Sequence, residues 1–219
     1  MKTVAFVPIK YNNERLPGKN IKKLSSGKPL ISYILETLLN VNEIDEIYVY
    51  CSNPDIKNYL PVGVGFLERD KRLDLSETSF NEVLTSFAEI IDSDVYVLAH
   101  ATAPLISVSS FTKGIQAVKS GKYDSALAVE KVQEFLWKEG KPFNYNPEAI
   151  PRTQDLDIIY KETCGMYVYN KSLIKDKKRR VGETPFLVEV SKVESCDINI
   201  EEDFILVDAI VNYMNLIKE

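Results

Sequence analysis

The chain has 219 residues, 45% of them hydrophobic and 27% charged, and a formal net charge of −5 at pH 7. That balance supports a buried core and excludes a disordered chain, and the acidic sign leaves no basic footprint for nucleic acid. The three cysteines, Cys51, Cys164 and Cys196, have no CxxC spacing, which argues against a disulfide framework or a zinc site and for a cytoplasmic protein.

The elements alternate along the chain. The opening MKTVAFVP is too short for a signal-peptide core, and no apolar run is long enough to cross a bilayer. Thr3 to Ile9 is a continuous apolar run, as in a strand buried on both faces. A polar loop follows from Lys10 to Lys28. From Pro29, the residues Leu30, Ile31, Ile34, Leu35, Leu38 and Leu39 repeat at helical spacing. Glu46 to Cys51 and Val64 to Leu67 read as strands. Ser79 and Glu82 form a capping box for a helix whose stripe is Val83, Leu84, Phe87 and Ile90. Val95 to Ala99 is a strand, Ser109 caps a helix that ends before Gly121, and Ser125 to Val129 is another strand.

Lys131 to Ile159 breaks the pattern, with Trp137, Gly140, Pro142, Pro147 and Pro151 and no clear period. It reads as an insertion at the sheet edge within one domain spanning 1–219. Regular structure returns at Gly165 to Tyr169 and Phe186 to Val193. A last helix starts at Glu201, its apolar side carrying Phe204, Ile205, Val207, Ile210, Val211, Met214 and Ile217. Strands separated by helices predict an α/β fold, a mostly parallel sheet with helices on both faces. Ligands of such sheets bind beyond the carboxyl ends of the strands, so the loops Lys10–Asn20 and His100–Pro104 face the expected site.

The first of these loops carries Lys10, Arg15 and Lys19 with Asn12, Asn13 and Asn20, the mixture of charge and polar donors that a triphosphate requires. It lacks the GxxxxGK[ST] pattern of a Walker loop. A solvated basic loop is the alternative on spacing alone.

Seven segments, taken together, resemble the acylneuraminate cytidylyltransferases and the related 3-deoxy-manno-octulosonate cytidylyltransferases. Pro8 to Asn20 follows their I-P-A-R-x-x-S-K-x-L-P-x-K-N loop without a gap, and Gly27 to Ile31 follows G-K-P-L-I. Glu68 to Leu73 is similar to R-P-x-x-L, His100 to Leu105 to Q-P-T-S-P-L, and Arg152 to Asp155 to R-x-Q-D. Tyr160 to Val168 is similar to Y-x-x-N-G-A-x-Y-I, and Glu194 to Phe204 to E-x-x-D-I-D-x-x-E-D-F.

The resemblance implies a Rossmann-like nucleotidyltransferase fold and transfer of CMP from CTP to a sialic-acid-like sugar acid, with Mg²⁺ as cofactor. It implies a homodimer in which the inserted segment 131–159 reaches the second subunit. Pro8, Lys10, Lys19, Asn20 and Arg69 stand at nucleotide-binding positions. Lys10, Lys19 and Asp197 are the catalytic positions, and Asp197 with Asn199 the metal positions. His100, Thr102, Arg152 and Thr163 fall at acceptor-binding positions. His100 is either a hydrogen-bonded structural group or a contact that helps deprotonate the acceptor.

Three positions depart from the pattern. Lys10 replaces a planar arginine fork with a point charge. Asn199 replaces an aspartate, and Thr163 replaces an asparagine. Cys164 is set aside as a nucleophile because it reads as a buried strand start. The departures leave two other readings open: transfer to another small acid, such as a phosphonate or phosphorylated metabolite, or a relative that binds nucleotide without turnover.

Overall fold

The computed structural model describes residues 1–11 and 13–217; Asn12, counted above among the loop's polar residues, lies outside them. Apolar runs become the centre of a sheet. β1 (Thr3–Ile9), β2 (Glu46–Cys51), β3 (Val64–Glu68) and β4 (Val95–Ala99) are parallel. β5 (Ser125–Val132) is followed by a hairpin of two short strands, β6 (Trp137–Lys138) and β7 (Lys141–Pro142). β8 (Ile159–Asn170) runs antiparallel between β4 and β5, and β9 (Pro185–Val190) pairs parallel with β5. The seven-stranded order is β3-β2-β1-β4-β8-β5-β9.

Helices cover both faces. Ala5, Val7 and Ile9 pack with α1 (Leu30–Leu39) and α3 (Val108–Lys119) on one side. Val4 and Phe6 pack with α2 (Phe80–Ile90) and α4 (Lys171–Lys177) on the other, with Phe6 stacked on Phe87 at 4.0 Å. α5 (Glu201–Leu216) packs Phe204, Val207 and Val211 against Leu16, Leu24 and Leu30, tying the chain's last helix to the loop after β1. Lys22 bridges to Glu201, and Asp208 accepts the Ser25 amide at 2.8 Å.

Several expectations change. α3 is capped by Ser107, whose hydroxyl accepts the Ser110 amide; Ser109 is an exposed residue inside the helix. Ile90 is 53% exposed, and Ala88 takes its place in the α2 stripe. Ile205 on α5 and Ile217 just past its end face solvent, because the segment is apolar on more than one side. The strand read from Gly165 begins at Ile159, and the one read to Val193 ends at Val190. The expected insertion thus opens in the last residues of β5 and closes as β8 begins, enclosing the hairpin and a short 3-10 turn at Thr153–Asp155.

Opposite Ala128 the β5–β8 pairing slips, from Leu127↔Tyr167 to Val129↔Glu162. Such an irregularity re-aims side chains. Thr163 Oγ1 donates to Ala128 O at 3.1 Å and satisfies a carbonyl that the slipped ladder leaves. Gly165 allows the close approach of Ile106, whose Cγ1 would lie 2.6 Å from any Cβ at that position.

Candidate active site

β1 pairs with β2 on one side and β4 on the other, so the sheet order reverses direction there. The crevice beyond the carboxyl ends of β1 and β4 is the switch point where open α/β sheets place ligands. A cleft of about 260 Å³ lies there, lined by Pro8, Lys10, Asn13, Arg15, Lys19, Asn20, His100, Ala101, Thr102, Cys164, Asp197 and Asn199. A larger depression of about 410 Å³, between Arg72, α2 and Lys178, lies away from these strand ends.

Three loops build the cleft, and Ile198 locks them together. Its amide donates to Thr102 O at 2.8 Å, and its carbonyl accepts Lys19 Nζ at 2.8 Å. Ile198 itself is fully buried. Asp197 and Asn199 flank this anchored residue and line the cleft. They lie in the loop between β9 and α5. Asp203 folds back to accept the Asn199 amide at 2.8 Å and the Ile200 amide at 3.0 Å, fixing the start of α5. Asn20 Nδ2 donates to Lys10 O at 3.2 Å and Asn13 Oδ1 at 3.3 Å, which folds the first loop on itself.

Among the described residues, three cationic side chains and a single carboxylate line the cleft. The local sign is therefore opposite to that of the whole chain, as an anionic ligand requires. Lys19 is buried, and burial lowers its pKa; Asp197 opposes that fall and Arg15 adds to it. Lys10 is partly exposed and stands 3.6 Å from Glu14.

Asp197 Oδ2 accepts Asn199 Nδ2 at 2.7 Å, while Oδ1 is buried without a hydrogen-bond partner among the described residues. A buried carboxylate oxygen left unpaired carries a desolvation cost that a cation or donor would relieve. Mg²⁺ takes few protein oxygens and completes its shell with water and phosphate. The orphaned Oδ1 and the Asn199 amide fit that donor set. Among the described residues no group of three or more His, Cys, Asp or Glu is arranged to hold a metal by itself.

His100 lies against Phe80 and Tyr167, with ring centroids 5.4 and 6.5 Å away. Burial, with help from Arg180, lowers its pKa to about 4. The imidazole is therefore neutral at pH 7, and its Nε2 is buried without a partner. Cys164 is exposed, contrary to the buried position expected for it. Partial burial of its thiol, then the charge of Asp197, pushes its pKa up. It remains a neutral thiol, a poor nucleophile for this different reason.

The structure thus brings together Pro8, Lys10, Lys19, Asn20, His100, Thr102, Asp197 and Asn199. It does not bring Arg69, Arg152 or Thr163 to the cleft wall. Arg69 is buried, donates to Ile9 O at 2.8 Å and pairs with Asp74; its amide donates to Cys51 O. It braces the ends of β1 and β2. Arg152 is an exposed residue forked onto Asp155 at 2.7 and 3.0 Å. Thr163 is spent on the slipped ladder, and its neighbour Cys164 takes the place at the cleft. Asn13 and Arg15, noted in the loop of Lys10 and Lys19 but given no site position, also line the cleft, as does Cys164, set aside above as a nucleophile.

The described residues contain no helix long and apolar enough to cross a membrane. The cytidylyltransferase family model matches residues 4–198. The chain is 25% identical over 210 residues to N-acylneuraminate cytidylyltransferase A of Danio rerio, covering 91% of this chain and 48% of that protein. It is 28% identical over 191 residues to 3-deoxy-manno-octulosonate cytidylyltransferase 2 of Hydrogenovibrio crunogenus, covering 80% of this chain and 77% of that protein. The chain spans about half the length of the first curated relatives it matches. Its fold is that of a CMP:2-keto-3-deoxy-manno-octonic acid synthetase solved in complex with CTP, at TM-score 0.76 and 16% identity, covering 98% of this chain and 100% of that one.

Proposed function

Because the chain belongs to the cytidylyltransferase family, we propose that it transfers CMP from CTP to a nonulosonic or ulosonic sugar acid and releases pyrophosphate. The observation that carries this reading is the switch-point cleft, where Lys10, Lys19 and Asn20 face Asp197, Asn199 and His100. Relatives named for sialic acid and for 3-deoxy-manno-octulosonate support the choice of acceptor class.

An acceptor oxygen attacks the α-phosphorus of CTP in line. The bond from that phosphorus to the bridging oxygen breaks, and pyrophosphate leaves with the electron pair. Such transfers depend on positioning and charge neutralisation more than on covalent help from the protein. Lys10, Arg15 and Lys19 offset the triphosphate charge. The hydrogen bond from Lys19 Nζ to Ile198 O holds that ammonium in place before ligand arrives. The acceptor's hydroxyl proton has a neutral imidazole, His100, within the same cleft to receive it. Asp197 and Asn199 would hold Mg²⁺, which supplies further neutralisation of phosphate charge when bound.

A cytoplasmic homodimer, with 131–159 as part of the interface, belongs to the same proposal. Exposed Trp137, Phe143 and Ile150 on that segment support it. The decisive experiment measures pyrophosphate release from CTP over a panel of sugar acids, phosphonates and phosphorylated acids. Release with a sugar acid is expected. Release only with a phosphonate or phosphorylated acid would move the acceptor class, and CTP binding without release would leave a nucleotide-binding protein.

A further inference from the structure

Arg180 is a cation that the proposed transfer leaves unused. It sits in the segment between α4 and β9, and that segment is pinned. Asp124 accepts the Glu183 amide at 2.7 Å and the Thr184 amide at 3.2 Å, and Ser125 Oγ accepts the Gly182 amide at 2.9 Å. A Cβ at Gly182 would overlap the Asp124 carboxylate, so this close approach requires glycine.

The pinned segment lays the guanidinium over two aromatic rings. Arg180 Cζ is 3.7 Å from the Tyr167 centroid and 5.2 Å from that of Phe80. Arg180 Nη2 donates to the Tyr167 hydroxyl at 3.0 Å and stands 3.5 Å from Glu162 Oε1. The Tyr167 hydroxyl donates to Glu162 in turn. The Arg180 side chain is 24% exposed and its Glu162 counterion 50% exposed. A planar cation held flat on aromatic rings keeps its in-plane N–H groups available for a second partner.

This group adjoins the cleft through His100, which lines it. Phe80 and Tyr167, the rings beneath Arg180, also flank His100. His100 carries the buried, unpartnered Nε2. Cys164, on the same strand as Glu162 and Tyr167, lines the cleft with it. The charge of Arg180 reaches both residues: it helps hold the imidazole pKa low and opposes the rise of the thiol pKa.

We propose that Arg180 reads a carboxylate on the acceptor, exchanging Glu162 for it, and so selects acids over neutral sugars. The inference rests on the sugar-acid reading above and names the residue that would carry its selectivity. A guanidinium fork takes a carboxylate through two parallel N–H bonds. Glu162 is the stand-in: its half-exposed carboxylate balances the cation and returns to water when the acceptor arrives. Arg152, forked onto Asp155 outside the cleft, leaves this role open.

The two residues therefore predict opposite effects. With an N-acylneuraminate and 3-deoxy-manno-octulosonate as acceptors, Arg180→Gln should raise the acceptor KM about tenfold or more, as loss of a charge-assisted pair does. The KM for CTP should not change, Arg180→Lys should recover part of the loss, and Glu162→Gln should lower the acceptor KM. Methyl esters of the same acids should bind wild type as poorly as the acids bind Arg180→Gln. An unchanged acceptor KM in Arg180→Gln would overturn the inference and leave the proposed transfer standing. Equal losses for CTP and acceptor would also overturn it, by showing a role in the fold alone. If wild type releases pyrophosphate with no acid, the transfer itself fails, and the NMR signal of the chain's one histidine decides. A shift of the His100 resonance on adding the acid, present in wild type and absent in Arg180→Gln, keeps the inference; no shift in wild type sinks it.

Discussion

Lys19 and Arg15 both line the cleft, yet they are held differently. Lys19 is buried and its Nζ is already bonded to Ile198 O, so its charge is positioned before nucleotide binds. Lys19→Ala should weaken CTP binding by about 1.5–3 kcal/mol, the range for a charge-assisted contact, and Arg15→Ala by less. Calorimetric titration with CTP and Mg²⁺ checks the order, and equal losses would place the phosphates elsewhere in the loop. Asp197 gives a second residue-scale prediction. Asp197→Asn should nearly abolish turnover while circular dichroism stays unchanged, because the side chain projects from a loop anchored by its neighbour Ile198. Asn199→Asp should tighten the Mg²⁺ dependence of the rate, since it adds a second carboxylate beside Asp197. Without metal, the two acids would repel at the spacing where Asn199 now donates at 2.7 Å. Native activity and native metal dependence in Asp197→Asn would remove it from the reaction. Lys10, Lys19, Asn20, Asp197 and Asn199 were legible because one loop and one short segment carry them in fixed spacing. Arg69, Arg152 and Thr163 do not line the cleft, and their partners, Ile9 O, Asp155 and Ala128 O, are set by three-dimensional packing that the sequence does not display.

At the scale of elements, the cap of α3 separates pattern from geometry. The sequence pattern places the cap at Ser109, but Ser107 Oγ accepts the Ser110 amide and Ser109 is exposed within the helix. Ser107→Ala should cost about 1 kcal/mol in urea unfolding. Ser109→Ala should be neutral or slightly stabilising, since alanine is the better helix former. The reverse order would return the cap to Ser109. β1, β2 and β4 were readable because burial on both faces produces unbroken apolar runs. The first half of β8 was not, because Tyr160, Lys161 and Glu162 are exposed and hide the strand among polar residues. The antiparallel direction of β8 was equally hidden, since direction is a property of pairing and leaves no mark on a single strand. α4 is too short, at 7 residues, to show a period.

Two consequences belong to the whole molecule. The first is its response to acid. His100 has a folded pKa of about 4 against an ordinary value of 6.5, so the unfolded chain binds the extra proton between those limits. Stability from this residue is fully present above the ordinary value and is lost as pH falls through the folded one. The loss should be on the order of 3 kcal/mol across the window. Urea melts of His100→Gln should lack this component between pH 6.5 and 4; a wild-type slope in the variant would assign the acid response to other groups. The second consequence is assembly. Trp137, Phe143 and Ile150 are 62%, 56% and 66% exposed on a segment whose own structure is a small hairpin and a turn. Apolar side chains grouped this way lose hydration on contact with a partner surface. Light scattering at micromolar concentration should give a dimer. Because Trp137 is the chain's one tryptophan, its fluorescence should move to shorter wavelength as protein concentration rises through the dissociation constant. Trp137→Asp combined with Phe143→Asp should give a monomer whose far-ultraviolet dichroism is unchanged. These positions lie outside the seven-stranded sheet, so a folding defect is not expected to mimic dissociation. A double variant that remains dimeric would put the interface on another face, and concentration-independent fluorescence with a monomeric mass would show that the segment covers its own domain.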